Sequence, residues 1–227
     1  MDERVFLITG ASSGIGAATA RAAVASGHRV ALLARSIDKL QALADEFGSD
    51  RAIAVSCDVT DWGDVRAAVD ATLARFRRID LAFANAGFGA VRGFLNESPE
   101  HWREMILTNV LGPALTIRAT VPALEAAGGH LILTGSVAGH VAVPGSVYSA
   151  TKHAVGAMAE SARKKLRERG IRVTLISPGN VDTPFFDNAP TPALSDDDVA
   201  RAVMFAADQP PGVGINEILM RHRDQEI

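Results

Sequence analysis

The sequence predicts an α/β fold: a doubly wound sheet of about seven mostly parallel strands with helices on both faces. Three observations carry that expectation. Short apolar runs alternate with longer amphipathic segments along the chain, the pattern of repeated βαβ units. Val30–Leu33 is apolar throughout, which fits a strand covered on both sides. A Gly-rich segment joins the first strand to the first helix, at the carboxyl edge where such sheets bind ligands.

The elements follow in order. Val5–Thr9 reads as a strand. Gly14–Ser26 reads as an Ala-rich helix stopped by Gly27. Val30–Ala34 is the second strand, and Ser36 caps a helix running to about Phe47, ended by Gly48. Ala52–Cys57 is a strand and Asp61–Arg77 a helix. Leu81–Ala84 is the fourth strand. Pro99–Glu125 is a long helical region with Ser98 as its cap, and Pro113 inside it predicts a kink or break. His130–Thr134 is a strand, Val147–Arg169 a helix ended by Gly170, and Arg172–Ser177 a strand. Ser195–Ala207 is a helix with acidic residues in its first turn, favourable at the positive end of the dipole. Ile215–Met220 closes the set.

The totals bound the function. The chain has 227 residues, 48% of them hydrophobic, enough for one sizeable core and short for two. No linker or repeat divides it, so one domain over residues 1–227 is expected. The net charge of −3 is spread along the chain, so no nucleic-acid partner is expected. Arg75, Arg77 and Arg78, and Arg163 with Lys164 and Lys165, read as solvated helix ends. Cys57 is the only cysteine. It excludes an internal disulfide, fits a reducing compartment and reads as a buried spectator thiol. Met1-Asp2-Glu3-Arg4 lacks the pattern of a signal peptide, and no apolar run has transmembrane length. A soluble, cytoplasmic protein without a membrane partner is expected. No metal-binding residues are expected.

The loop Thr9-Gly10-Ala11-Ser12-Ser13-Gly14-Ile15-Gly16 suits a nucleotide. Gly10 permits the tight turn, Gly14 lets the backbone approach a pyrophosphate, and Gly16 lets the helix pack near the sheet. The helix start then offers N–H groups and a positive dipole end. The second strand ends in Ala34, Arg35 and Ser36. A carboxylate there would favour NAD(H) through the ribose hydroxyls, whereas a guanidinium binds a 2′-phosphate. NADP(H) is therefore favoured over NAD(H). A solvated loop residue is the plain alternative for Arg35.

Tyr148, the only tyrosine, precedes Lys152 by four residues. On a helix the two share a face. The ammonium is expected to lower the phenol pKa towards neutrality and make Tyr148 a general acid and base. Ser136 follows the fifth strand, where its hydroxyl would hold a substrate oxygen beside Tyr148. Asn109 lies inside the long helix, where Asn has no propensity reason to be.

The loop T-G-x-x-x-G-x-G, the Tyr148/Lys152 pair and Pro178-Gly179-Asn180-Val181-Asp182-Thr183 together resemble the short-chain dehydrogenase/reductase family, from Val5 to Met220. The resemblance implies a Rossmann-type sheet, with Gly10, Ser12, Ser13, Gly14, Ile15 and Gly16 on the cofactor. It implies that Asp58, followed by Val59, contacts the adenine amino group, although Asp58 reads equally as a turn cap. Asn85-Ala86-Gly87 resembles the family's N-N-A-G with Ala84 in place of the first Asn. The resemblance implies a catalytic tetrad of Asn109, Ser136, Tyr148 and Lys152, with Asn109 holding a water that links the lysine to solvent. It implies that Pro178, Gly179, Val181 and Thr183 meet the nicotinamide end. It also implies a homodimer or homotetramer through Pro99–Glu125 and Val147–Arg169.

The expected activity is the interconversion of a small-molecule carbonyl and an alcohol. Candidate substrate residues are Ser136, His140, Tyr148, Phe185 and Phe186. His140 reads as a contact for an acidic substrate or as a bystander, and the two phenylalanines as pocket wall or lid packing. Pro184–Leu194, with three prolines, reads as a short lid. A non-catalytic NADP-binding redox sensor or scaffold is the alternative function, and the Tyr148/Lys152 pair argues against it. An epimerase or dehydratase would need a second domain and a different Gly spacing.

Overall fold

Alternation along each strand decides which layer it feeds. In β1 (Val5–Thr9), Phe6 and Ile8 enter one apolar layer and Leu7 the other, as the two-residue period of a strand requires. The computed structural model describes residues 3–186, 188 and 190–226. Seven strands form one sheet: β1, β2 (Arg29–Ala34), β3 (Ala52–Ser56), β4 (Leu81–Ala84), β5 (His130–Thr134), β6 (Arg172–Pro178) and β9 (Glu217–Met220). Their order is β3-β2-β1-β4-β5-β6-β9, and every pairing is parallel. Strand order reverses between β1 and β4, which opens a crevice at their carboxyl ends.

Helices α1 (Gly14–Ala25), α2 (Ile37–Phe47) and α7 (Asp196–Ala207) cover one face. Helices α3 (Trp62–Phe76), α5 (Gly112–Ala127) and α6 (Val147–Leu166) cover the other. Each fully buried Leu, Ile or Phe contributes roughly 1.5–3 kcal/mol. Side-chain caps start α3 at Asp61, α4 (Pro99–Ile106) at Ser98, α6 at Ser146 and α7 at Ser195. Ser36 stands at the N-cap of α2, but its side chain makes no cap hydrogen bond, and neither does that of Ser13 before α1.

The long helical region breaks as Pro113 predicts, one turn earlier than the proline itself. A π-helical turn, Leu107–Leu111, separates α4 from α5, and the Gly112 N–H reaches back to Leu107 O. Pro113 has no N–H for the Asn109 carbonyl four residues back, so the α-helical ladder cannot continue there. Pro122 also lies inside α5, and the helix continues past it to Ala127.

Two short strands, β7 (Val181–Asp182) and β8 (Leu194–Ser195), pair in parallel and join the ends of the segment expected as a lid. Asp187 and Ala189 of that segment lie outside the described residues, as do Met1 and Asp2. Cys57 is buried just beyond β3, and burial pushes its thiol up to about 12. No helix among the described residues is long and apolar enough to cross a membrane.

His130 sits at the buried start of β5. Thr174 donates its hydroxyl to Ile215 O, so His130 Nε2–H must donate to Thr174 Oγ1, 2.8 Å away. That leaves Nδ1 bare and without a hydrogen-bond partner among the described residues. Burial pushes the imidazole down to about 3. An unfolded chain takes up this proton near pH 6.5, and the folded chain does not. Stability contributed by neutral His130 is therefore present above pH 6.5 and lost as pH falls towards 3. At about 1.4 kcal/mol per unit, the loss is on the order of 5 kcal/mol. His28, also lowered by burial, acts in the same direction. His130→Gln should flatten this acid limb in urea melts taken from pH 7 to pH 4. An unchanged slope would mean that other groups drive acid unfolding.

Candidate active site

The Gly-rich loop is shaped by what cannot fit in it. A Cβ on Gly16 would lie 2.3 Å from Gly10 O, and one on Gly10 would lie 2.9 Å from Ala86 Cα. Gly10 and Gly14 have φ of 66° and 49°, where a side chain is strained. A Cβ on Gly14 would meet Thr183 Cγ2 at 3.0 Å, so the loop after β6 lies directly against the loop after β1. Ile15 is half-buried and packs on the α1 side of the core. Ser12, Ser13 and Gly14 line a cavity with Ala17, Arg21 and Lys39.

Asn85 ties three strands together. Its Nδ2 donates to Thr9 O at 3.1 Å, and its Oδ1 accepts from Thr134 Oγ1 at 3.0 Å. Thr9 Oγ1 in turn accepts the Asn85 and Ala86 N–H groups. Gly87 faces Asn109 Oδ1, where a Cβ would come within 3.0 Å. These contacts tie the loop after β4 to the carboxyl ends of β1 and β5, at the strand-order reversal. The chain thus fits a nicotinamide dinucleotide: glycine-lined backbone and a helix start whose Ser13 hydroxyl makes no cap hydrogen bond.

At the outer end, Arg35 is exposed; its carbonyl accepts the Ile37 N–H at 3.1 Å, and its guanidinium points to no hydrogen-bond or ion-pair partner among the described residues. It helps hold the Asp58 carboxyl below its ordinary range, after the larger effect of the Thr60 N–H. Asp58 Oδ1 accepts from both Thr60 N and Thr60 Oγ1, so the turn-cap role is real. Val59 is buried beneath the start of α5, where a Cβ on Gly112 would come within 2.9 Å of it.

Ser136, Tyr148, Lys152 and Asn109 converge at the start of α6. Lys152 is buried, and its Nζ lies 5.6 Å from the Tyr148 ring centroid. It donates to Thr134 O at 2.8 Å, and burial pushes it down to about 8. Tyr148 keeps part of its surface open, yet the dense protein around it pushes the phenol up to about 12, opposed by the Ser136 hydroxyl. The sequence argument expected the reverse shift for Tyr148. Desolvation is the larger influence, and the Ser136 hydroxyl opposes it without reversing it. Ser136 also accepts the Ala138 N–H at 3.1 Å. Asn109 is buried in the π-turn, and its side chain clamps Phe88: Oδ1 accepts Phe88 N at 3.0 Å and Nδ2 donates to Phe88 O at 2.9 Å. Nδ2 also reaches Thr151 Oγ1, next to Lys152.

The turn after β6 is held by the carboxyl-terminal residues. Gly179 N donates to Met220 O at 2.7 Å, and Asn180 N to Gln225 Oε1 at 2.9 Å. Pro178 ends β6 and Val181 is buried in β7. Phe185 meets the Tyr148 ring edge-on at 5.6 Å and Phe186 at 4.9 Å. His140 is drawn aside. Its Nε2 lies 2.7 Å from Glu217 Oε1, which also accepts from Ser177 Oγ. Thr134, Thr151 and Gln225 were missed from the sequence. Their contacts span many residues and carry no local motif.

Known proteins match this chain in sequence and in fold. A family model described as short chain dehydrogenase matches residues 4–193. Dehydrogenase/reductase SDR family member 11 of Gallus gallus is 38% identical over 247 residues, covering 98% of this chain and 97% of its own. An alcohol dehydrogenase from the archaeon Thermococcus sibiricus, solved with 5-hydroxy-NADP, aligns with a TM-score of 0.92 and 30% identity over 100% of this chain and 99% of its own. Escherichia coli serine dehydrogenase aligns at 0.89 and 31%, over 98% of this chain and 100% of its own. Matched along nearly its whole length in sequence and in fold, the chain belongs to the short-chain dehydrogenase family of nicotinamide-dependent oxidoreductases.

Proposed function

We propose that the protein uses NADP(H) to interconvert a carbonyl and an alcohol, with Tyr148 as the general acid and base. One observation carries the reading: Tyr148, Ser136 and Lys152 meet at the carboxyl edge of the sheet, beside the glycine cradle. The nicotinamide cofactor, when bound, exchanges a hydride, which is two electrons and a hydrogen nucleus, with the substrate carbon. Tyr148, raised to about 12, keeps its proton at neutral pH and donates it to the carbonyl oxygen as that oxygen gains charge. Ser136 steadies the same oxygen by a hydrogen bond. Lys152, with its Nζ 5.6 Å from the Tyr148 ring centroid, would bind the ribose hydroxyls of the nicotinamide cofactor. Asn109 fixes the Phe88 backbone that walls the site.

Arg35 favours NADP(H), because its exposed guanidinium stands where an NAD enzyme needs a carboxylate. The Ser36 hydroxyl, which makes no cap bond, supports the same end. The relative solved with 5-hydroxy-NADP is consistent with that choice. A homodimer or homotetramer is supported by the apolar groove between α5 and α6, lined by Ala114, Ile117, Met158, Ala162 and Leu166.

Titration with NADPH and then NADH, followed by nicotinamide fluorescence, tests the cofactor reading. Tight NADPH binding with weak NADH binding is expected. Equal or stronger NADH binding would remove the assignment of Arg35 and leave the family standing.

A further inference from the structure

Phe185 is placed against the Tyr148 ring by the residues around it. Its ring meets Tyr148 edge-on at a centroid distance of 5.6 Å with the planes at 63°. It occupies the space that a side chain at residue 89 would need, since a Cβ on Gly89 would lie 2.9 Å from Phe185 Cζ. Phe186 backs it at 4.9 Å. The ring remains 39% exposed, so it is not buried as core packing. It offers an apolar face to whatever approaches Tyr148.

The charges nearby point the same way. His140, four residues after Ser136, is the imidazole best placed along the chain to meet a substrate carboxylate. It is already paired with Glu217 at 2.7 Å, and Ser177 donates to the same carboxylate oxygen. His101 Nε2 sits 2.9 Å from Gly89 O and 3.7 Å from Glu97. The Lys152 ammonium is turned to Thr134 O. Arg221 approaches the Gly179 turn through its Cβ, and it is the cation that the test below must exclude as a carboxylate partner. A substrate carboxylate would thus lose its water for phenyl rings and the Glu217 charge, which is costly.

We infer that the substrate is a neutral carbonyl compound carrying an aromatic or bulky apolar group that packs on Phe185, and not an oxo acid or hydroxy amino acid. This rests on the carbonyl-reductase reading above. In the step itself the C=O π bond breaks, the carbon gains hydride from the reduced nicotinamide, and the oxygen gains the proton of Tyr148.

Two measurements test it together. The first compares reduction of ethyl 3-oxobutanoate with that of 3-oxobutanoate, and of acetophenone with pyruvate, using NADPH. Each neutral compound should be favoured by at least about tenfold in kcat/KM. Phe185→Ala should cut acetophenone kcat/KM by roughly tenfold, mainly through KM. Gly89→Ala, which displaces the ring, should change acetophenone more than it changes the smaller ester. Preference for either acid, especially one lost in Arg221→Ala, would overturn the inference. The second measurement does not need turnover. Saturation-transfer NMR on the NADPH-loaded protein should show acetophenone bound and benzoate unbound, with acetophenone binding weakened in Phe185→Ala. Benzoate binding, or acetophenone binding indifferent to Phe185→Ala, would overturn the inference even if no carbonyl were reduced. The absence of all reduction alongside Phe185-dependent acetophenone binding would instead count against the catalytic reading.

Discussion

Tyr148→Phe should lower carbonyl reduction by roughly a thousandfold while leaving cofactor affinity within about twofold. The substitution removes one oxygen and keeps the ring. The edge-on contact with Phe185 and the packing near Lys152 depend on the ring, so the fold should persist. What disappears is the proton that the phenol holds securely, because burial pushes its pKa to about 12. Ser136 remains to hydrogen-bond the substrate oxygen, but an aliphatic hydroxyl is a far weaker acid than a phenol and a poor replacement. Steady-state kcat and an NADPH fluorescence titration on the same preparation separate the two effects. Turnover near the wild-type rate would place the proton donor elsewhere.

Arg35→Asp should reverse the cofactor preference, moving the ratio of NADPH to NADH affinity by on the order of a thousandfold. Two effects add. The charged hydrogen bonds to a 2′-phosphate are lost, and a carboxylate is put where that phosphate would lie. The same carboxylate gains the ribose hydroxyls of NADH as partners. Stability should barely change, since Arg35 is exposed and its one hydrogen bond among the described residues, from Ile37 N–H, is made by the backbone carbonyl. Kd values for both nucleotides, with thermal melts as a control, decide the matter. Unchanged NADPH affinity would mean that another cation, such as Lys39 at the nearby cavity, holds the phosphate.

Much of the architecture was legible because it is local. Val30–Leu33 could be assigned to a covered strand from its apolar run alone, and β2 is covered on both faces. The helix expected at Asp61–Arg77 differs by one residue at each end, with Asp61 and Arg77 as its caps. Pro113 announced a break because a missing N–H acts on the nearest turn. Its form, a π-turn that buries Asn109, was not legible, because it depends on how α4 and α5 settle on the sheet. Ser36 had the right residue type for a cap, but its φ of −84° and ψ of 83° leave the hydroxyl off the helix start.

The sequence by itself determined the order of the strands and helices, the glycine loop and the Tyr148/Lys152 spacing. Each is set by backbone sterics, helical period or burial within a few neighbouring residues. The tertiary structure decided the sign of the Tyr148 shift, the capture of His140 by Glu217 across 77 positions and the seating of Phe185 in the space left by Gly89. These depend on desolvation and on which distant groups share a cleft. Both are properties of the packed chain, since water leaves a group only when the rest of the protein has closed around it.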